Sequence, residues 1–149
     1  MRKEQVATTF ANALDWTTEQ KKEFLNASPS EDYLEFTEGS FAPGIYSVPA
    51  DTAPVVVREM ISNRFMTEVV SHYGEETAEL VPLGQALTVA SLIEREAGGP
   101  DDMRLISGII WNRLFINMRL QIDATLQYVK ANTASAKSWW PGVVPADRF

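Results

Sequence analysis

Two glutamates one residue apart, Glu94 and Glu96, are the strongest candidates for chemistry in this chain. They lie in the run Pro82 to Gly98, PLGQALTVASLIEREAG, whose apolar spacing predicts a helix that opens at a proline and closes at a C-cap glycine before Pro100. On the helical wheel Leu83, Ala86, Leu87, Ala90, Ile93 and Ala97 form the apolar arc, with Val89 and Leu92 at its border. Glu94 falls beside Leu87 and Ala90, and Glu96 beside Val89, Leu92 and Gln85, while Arg95 points outward. Carboxylates inside an arc expected to be buried break the local pattern, and such breaks mark function or strain. A second group of polar residues follows. From Met118 the period changes to two, which predicts a strand with Arg119, Gln121 and Asp123 on one face. A cation, an amide and a carboxylate in a row suit sugar hydroxyl and acetamido groups, although a solvated strand face has the same pattern.

Other chemistries are excluded by composition. The chain has 149 residues, no cysteine and one histidine, His72, so thiolate zinc sites, cysteine nucleophiles, disulfides and multi-histidine metal centres are out of reach. Thirteen Lys and Arg against twenty Asp and Glu give a net charge of -7, the wrong sign for gripping a phosphate backbone, so no nucleic acid partner is expected. No serine has a triad or elbow context to pair with His72. The chemistry left to this chain rests on carboxylates, amides, hydroxyls and aromatics. Neither a signal peptide nor a membrane-spanning run is legible in these residues.

These groups need elements to hold them. Residues 2–27 read as two amphipathic helices joined at Asp15-Trp16-Thr17-Thr18, with Thr17 or Thr18 as the second cap. A short helical turn is expected around 31–36. Residues 38–54, with three prolines, two glycines and few charges, read as a structured connector of turns and short strands, since Phe41, Ile45, Tyr46 and Val48 call for burial. A helix from Ala53 to about His72 carries Val56, Met60, Ile61, Phe65 and Val69 as its stripe, and the histidine suits its C-terminal dipole. Another, about 101–117, turns Met103, Ile106, Ile109, Ile110 and Leu114 inward. A short helix over 124–131 follows, with Asp123 placed to cap it. The tail holds the adjacent pair Trp139-Trp140. Together these predict an α+β fold: a small helical and strand lobe with its connector at 1–52, then a mostly helical catalytic lobe with short strands at 53–149.

The run Ala90-Ser-Leu-Ile-Glu-Arg-Glu-Ala97, followed by Asn112-Arg-Leu and then Met118-Arg-Leu-Gln-Ile-Asp-Ala-Thr-Leu-Gln-Tyr128, resembles the endolytic murein transglycosylase (YceG-like) family. Upstream, Glu38-Gly39 with Phe41, Pro43 and Tyr46 is similar to that family's E-G-x-x-x-P-x-x-Y segment. The sequence departs from the pattern at Ala124, where the family often has proline. It also lacks the family's Gly-Leu-Pro-Pro-Gly segment with the C-terminal lobe beyond it, and the N-terminal membrane anchor. The resemblance therefore implies a piece of a longer enzyme, with the anchor expected only in the full-length parent.

The resemblance carries the essential acid to Glu96, and gives Glu94, Asn112, Gln121, Asp123, Tyr128 and Glu38 supporting positions. Residue pattern alone leaves Glu94 and Glu96 unranked. The family cleaves the bond between N-acetylmuramic acid and N-acetylglucosamine in nascent glycan strands at the outer face of the bacterial inner membrane, with no cofactor, and cell-wall synthases are implied partners. One carboxyl group protonates the glycosidic oxygen and then takes a proton from the muramic acid 6-hydroxyl, which closes on C1. An ordinary glutamate, with a pKa of about 4.3, holds its proton in roughly one molecule in 500 at pH 7. The acid thus needs desolvation, for which Val89 and Leu92 are the available neighbours, and Arg119 must stay away from it to serve a substrate carboxylate. A noncatalytic peptidoglycan-binding piece, and a hydrolase pairing Glu96 with Glu94 or Asp123, stand as alternatives.

Overall fold

The computed structural model describes residues 1–27, 38–133 and 138–148. The helical turn expected at 31–36 lies outside them. In chain order the α-helices are α1 (Lys3–Ala13), α2 (Thr18–Asn26), α3 (Pro54–Glu68), α4 (Glu75–Leu80), α5 (Leu83–Glu96), α6 (Pro100–Phe115) and α7 (Asp123–Ala131), with 3-10 turns at Val70–His72 and Pro145–Arg148. No strand occurs among the described residues, so the α+β expectation is corrected to an all-helical one. The two segments expected to be strands lack what a ladder requires. Residues 38–54 turn at Gly39 and Gly44, both at positive φ, and their prolines have no N–H to donate. In 118–122 Gln121 adopts φ 54, which breaks the pleat.

The chain divides into two compact units, Met1–Gly84 and Gln85–Phe149. In the first, Ala7 of α1, Phe24 of α2, and Val57 and Ile61 of α3 form the buried core. Phe24 is fully buried, with ring centroids of Trp16, Phe10 and Phe41 at 5.5, 5.8 and 6.1 Å. The α1–α2 joint follows its sequence signals. Asp15, at φ 50, ends α1, and Thr17 caps α2 in a reciprocal box with Gln20, at 3.2 and 2.9 Å.

The stripe of α3 is rotated from the expected one. Val57, Ile61 and Phe65 are buried and Val56 is exposed, because Arg58 is also drawn inside. Its guanidinium donates to Ser40 Oγ at 2.9 Å and Ser62 Oγ at 2.8 Å, and lies 4.3 Å from the centroid of Phe41. Burial pushes its pKa below the usual value for arginine. By packing, α3 thus goes with the residues before it, although the sequence suggests a lobe boundary after residue 52. Arg64, one face over, crosses the connector. It donates to the Ile45 carbonyl and to Glu68, and Gly44 beside it stands at φ 149, a backbone conformation that residues with a Cβ rarely adopt.

In the second unit Val89 and Leu92 of α5, Ile110 of α6 and Ala124 of α7 make the core, with Ile93, Ile106, Trp111, Leu120 and Ile122 against it. Only Ile110 of the expected α6 stripe is fully buried, while Met103, Ile109 and Leu114 are exposed. The helix ends on Asn117, at φ 53, in a paired closure: Met118 N–H to the Arg113 carbonyl at 2.8 Å, and Asn117 N–H to the Leu114 carbonyl at 3.1 Å. Asparagine tolerates this left-handed backbone and branched residues do not.

Two stability outcomes follow. Phe24→Ala is expected to cost about 3–5 kcal/mol in urea unfolding of the first unit. Asn117→Val should cost about 1–2 kcal/mol while Asn117→Gly stays near the parent, since only the branched side chain clashes in that conformation. Equal stability of the valine and glycine variants would contradict the closure.

Candidate functional site

The rotation of α5 is set by Val89 and Leu92, which face Ile110 and Ala124. At about 100° per residue, Glu96 continues the row of Val89 and Leu92, but in the last turn, where its side chain is exposed. Glu94 lies about 160° from it around the axis. It lines an open groove of about 480 Å³ between α5 and α6, with Ala90, Ile93, Met103, Arg104 and Ser107. Both carboxylates are exposed, which corrects the expectation that the apolar arc buries them. They also face different surroundings. A mechanism that needs both on opposite flanks of one bond is poorly served by this helix.

Arg95 takes a third direction. Its guanidinium carbon sits 4.2 Å from the centroid of the Trp140 ring, and Nη2 makes a long 3.5 Å hydrogen bond to Gln127 Oε1 of α7. The sequence gives Arg95 only as outward-pointing, and Gln127 carries no signal of its own. Trp140 is one of the tryptophan pair in the tail, to which the sequence attached no role. The tail is fastened to α7 by Lys130, whose Nζ donates to the Gly142 carbonyl at 3.0 Å and to Asp147 Oδ2 at 2.7 Å. Val144 N–H donates to the same Asp147 oxygen at 2.7 Å. The Lys130 hydrogen bond, and then the Val144 amide, hold the Asp147 carboxyl below its usual value.

The expected face at 118–123 survives without a strand. Leu120 and Ile122 turn to the core, whereas Arg119, Gln121 and Asp123 are exposed. In place of a ladder partner, Arg113 donates to the Leu120 carbonyl. Asp123 is not the cap of α7; Ile122 takes that position, and Asp123 is the first helical residue, where the dipole favours a carboxylate. Among the described residues the ion pairs are Arg64–Glu68 and Lys130–Asp147, so Arg119 is not paired with Glu96.

The remaining candidates separate. Tyr128 follows Ala124 by one turn on the core side of α7 and is partly exposed. Asn112 lies about 160° around α6 from the buried Ile110, on the exposed side, and is not on the surface packed against α5. Glu38 belongs to the first unit, where its carboxylate accepts from the Lys3 amide at 3.4 Å, at the start of α1. His72 is exposed, with Nδ1 3.1 Å from Ser71 Oγ. No three of Asp, Glu and His are gathered to hold a metal ion among the described residues.

Comparison with known proteins adds an independent line. The model of the YceG-like family matches residues 1–140. An endolytic murein transglycosylase of Streptococcus pneumoniae serotype 2 (strain D39 / NCTC 7466) is 29% identical over 94 residues, covering 62% of this chain and 17% of the relative. Its counterpart in Streptococcus pneumoniae strain ATCC BAA-255 / R6 is 30% identical over 95 residues, with the same coverage. The matched stretch thus spans under a fifth of those relatives' length. No solved structure matches the chain.

The tail anchor has a pH dependence of defined sign. The folded Asp147 titrates below its unfolded value, so its contact with Lys130 stabilises the tail above the ordinary carboxylate range and is lost as pH falls through the folded value. Asp147→Asn is therefore expected to speed hydrogen exchange of the Val144 amide at pH 7. The difference from the parent should vanish once acid protonates Asp147. Equal protection in both proteins at pH 7, measured by NMR, would refute the anchor.

Proposed function

Because the chain belongs to the YceG-like family, we propose that it is an endolytic lytic transglycosylase of peptidoglycan with Glu96 as general acid and base. Relatives that carry the name endolytic murein transglycosylase support the reaction class. The observation that carries the choice of Glu96 is its place in the last turn of α5, on the row of Val89 and Leu92 and open to a ligand.

In the reaction Glu96 gives its proton to the oxygen between N-acetylmuramic acid and N-acetylglucosamine, and the bond from that oxygen to C1 breaks. The resulting carboxylate then accepts the proton of the muramic acid 6-hydroxyl as O6 bonds to C1. No water is consumed, and the product is a 1,6-anhydro end. Since the carboxyl is exposed in the free protein, the bound strand supplies the cover that excludes water from it. Gln121 and Asp123 meet acetamido and hydroxyl groups, Tyr128 supports from the core side of α7, and Arg119 reaches a substrate carboxylate away from Glu96. Glu94 supports from the groove. Asn112, on the exposed side of α6, supports at a distance, and Glu38 serves the start of α1. The place of action is the outer face of the bacterial inner membrane, beside cell-wall synthases. No helix among the described residues is long and apolar enough to cross a membrane.

A second reading, a noncatalytic glycan-binding piece, is favoured by the exposure of both carboxylates. One assay separates the readings: uncrosslinked glycan strands are incubated with the protein and the ends are identified by mass spectrometry. Anhydro ends are expected, with a rate falling at least about 100-fold in Glu96→Gln and little changed in Glu94→Gln. Anhydro formation surviving in Glu96→Gln would sink the assignment. Reducing ends, heavier by one water, would indicate hydrolysis, and binding without cleavage would favour the second reading.

A further inference from the structure

We infer that Arg95, backed by Trp140 and Gln127, is a carboxylate-binding subsite for the glycan strand; this rests on the proposed peptidoglycan substrate. A guanidinium has a flat face and an edge of N–H donors in one plane. The face of Arg95 is taken by the Trp140 ring at 4.2 Å, and one donor reaches Gln127 Oε1 at 3.5 Å. Neither contact neutralises the charge. Arg95 is exposed and is in neither of the ion pairs found among the described residues. Donors along its edge stay available to a planar, two-oxygen anion, which is the geometry arginine matches best.

Four other cations of this unit are less suited. Lys130 is spent on Asp147 and Gly142, and Arg113 on the Leu120 carbonyl. Arg119 is already assigned to another substrate carboxylate, and Arg104 is exposed without a hydrogen bond that holds it among the described residues, so it must lose side-chain freedom on binding. Arg95 has already lost it. Its neighbours also create the need: Glu94 and Glu96 flank it in the chain, and the whole protein carries a charge of -7. An anionic strand approaching these carboxylates meets repulsion unless a cation lies between them. Arg95 sits there, directed to a side of α5 that neither carboxylate occupies.

The shared chemistry is a carboxylate, available either from the lactyl group of muramic acid or from the peptide stem attached to it. Binding of the protein and of Arg95→Gln is compared on three probes: strands with peptide stems, strands whose stems have been removed to free the lactyl carboxylate, and neutral chito-oligosaccharide. A loss of about tenfold in affinity is expected on carboxylate-bearing strands and none on the neutral probe. The probe showing the larger loss identifies the source. Trp140→Leu, which removes the backing but keeps the charge, should give a smaller loss on the same probe, with an unchanged helical circular dichroism spectrum. Equal loss on the neutral probe, no loss on any probe, or failure of the parent to bind any strand would overturn the subsite. If the parent binds and discriminates but forms no anhydro ends, the subsite stands and the transglycosylase reading falls.

Discussion

The packing of Val89 and Leu92 against Ile110 and Ala124 is the contact on which the candidate site depends. A helix can be turned about its axis at little cost unless something fixes its phase. Here two apolar side chains one turn apart do so, each contributing on the order of 1.5–3 kcal/mol through burial. Once they point inward, the directions of residues 94, 95 and 96 follow from helical geometry. One carboxylate meets the α6 groove, the cation meets Trp140 and α7, and the other carboxylate emerges at the helix end. None of the three is held in place by a partner of opposite charge among the described residues.

The first unit solves a different problem. Its connector, residues 38–54, has too many prolines and turns for a sheet, yet Phe41 and Tyr46 must be covered. Arginines from α3 do much of that work. Arg58 stacks on Phe41 and is held by Ser40 and Ser62, and Arg64 lies 5.3 Å from the Tyr46 ring while donating to the Ile45 carbonyl. Side chains thereby take over hydrogen bonds that a neighbouring strand would otherwise supply. The Tyr46 hydroxyl closes the same loop on the Ala42 carbonyl at 2.6 Å, and desolvation raises its pKa.

Helices were the legible part of this chain. Apolar spacing located α1, α2, α3, α5, α6 and α7, and Thr17, the Asp15 joint and Pro100 marked their ends close to where they lie. The strands were misread because a period of two reports which side chains face inward, and says nothing of whether a second backbone lies alongside. Residues 118–123 show this well: the alternation of Leu120 and Ile122 with Arg119, Gln121 and Asp123 is real, but a left-handed Gln121 carries it. On α3 Ile61 and Phe65 are buried as expected, but Val57 takes the place of Val56, and the buried Arg58 beside it is invisible to hydropathy. The glutamates were found as a conflict with the apolar arc, yet both are exposed, since the buried row of α5 is only Val89 and Leu92. The Arg95–Trp140 contact joins residues 45 positions apart in the sequence, beyond the reach of any local pattern.

Glu96 is set by counting residues from Leu92, since the core holds only the helix ahead of it. That gives the segment an asymmetric tolerance to genetic change. Substitutions at Ile93 or Arg95 leave the row intact, whereas loss or gain of one codon between Leu92 and Glu96 rotates everything beyond it by about 100°. A single deletion there would swing the glutamate out of the Val89 and Leu92 row while leaving Glu96 itself in the chain. In this stretch the reading frame of the helix, as much as the identity of its residues, is what variation must preserve.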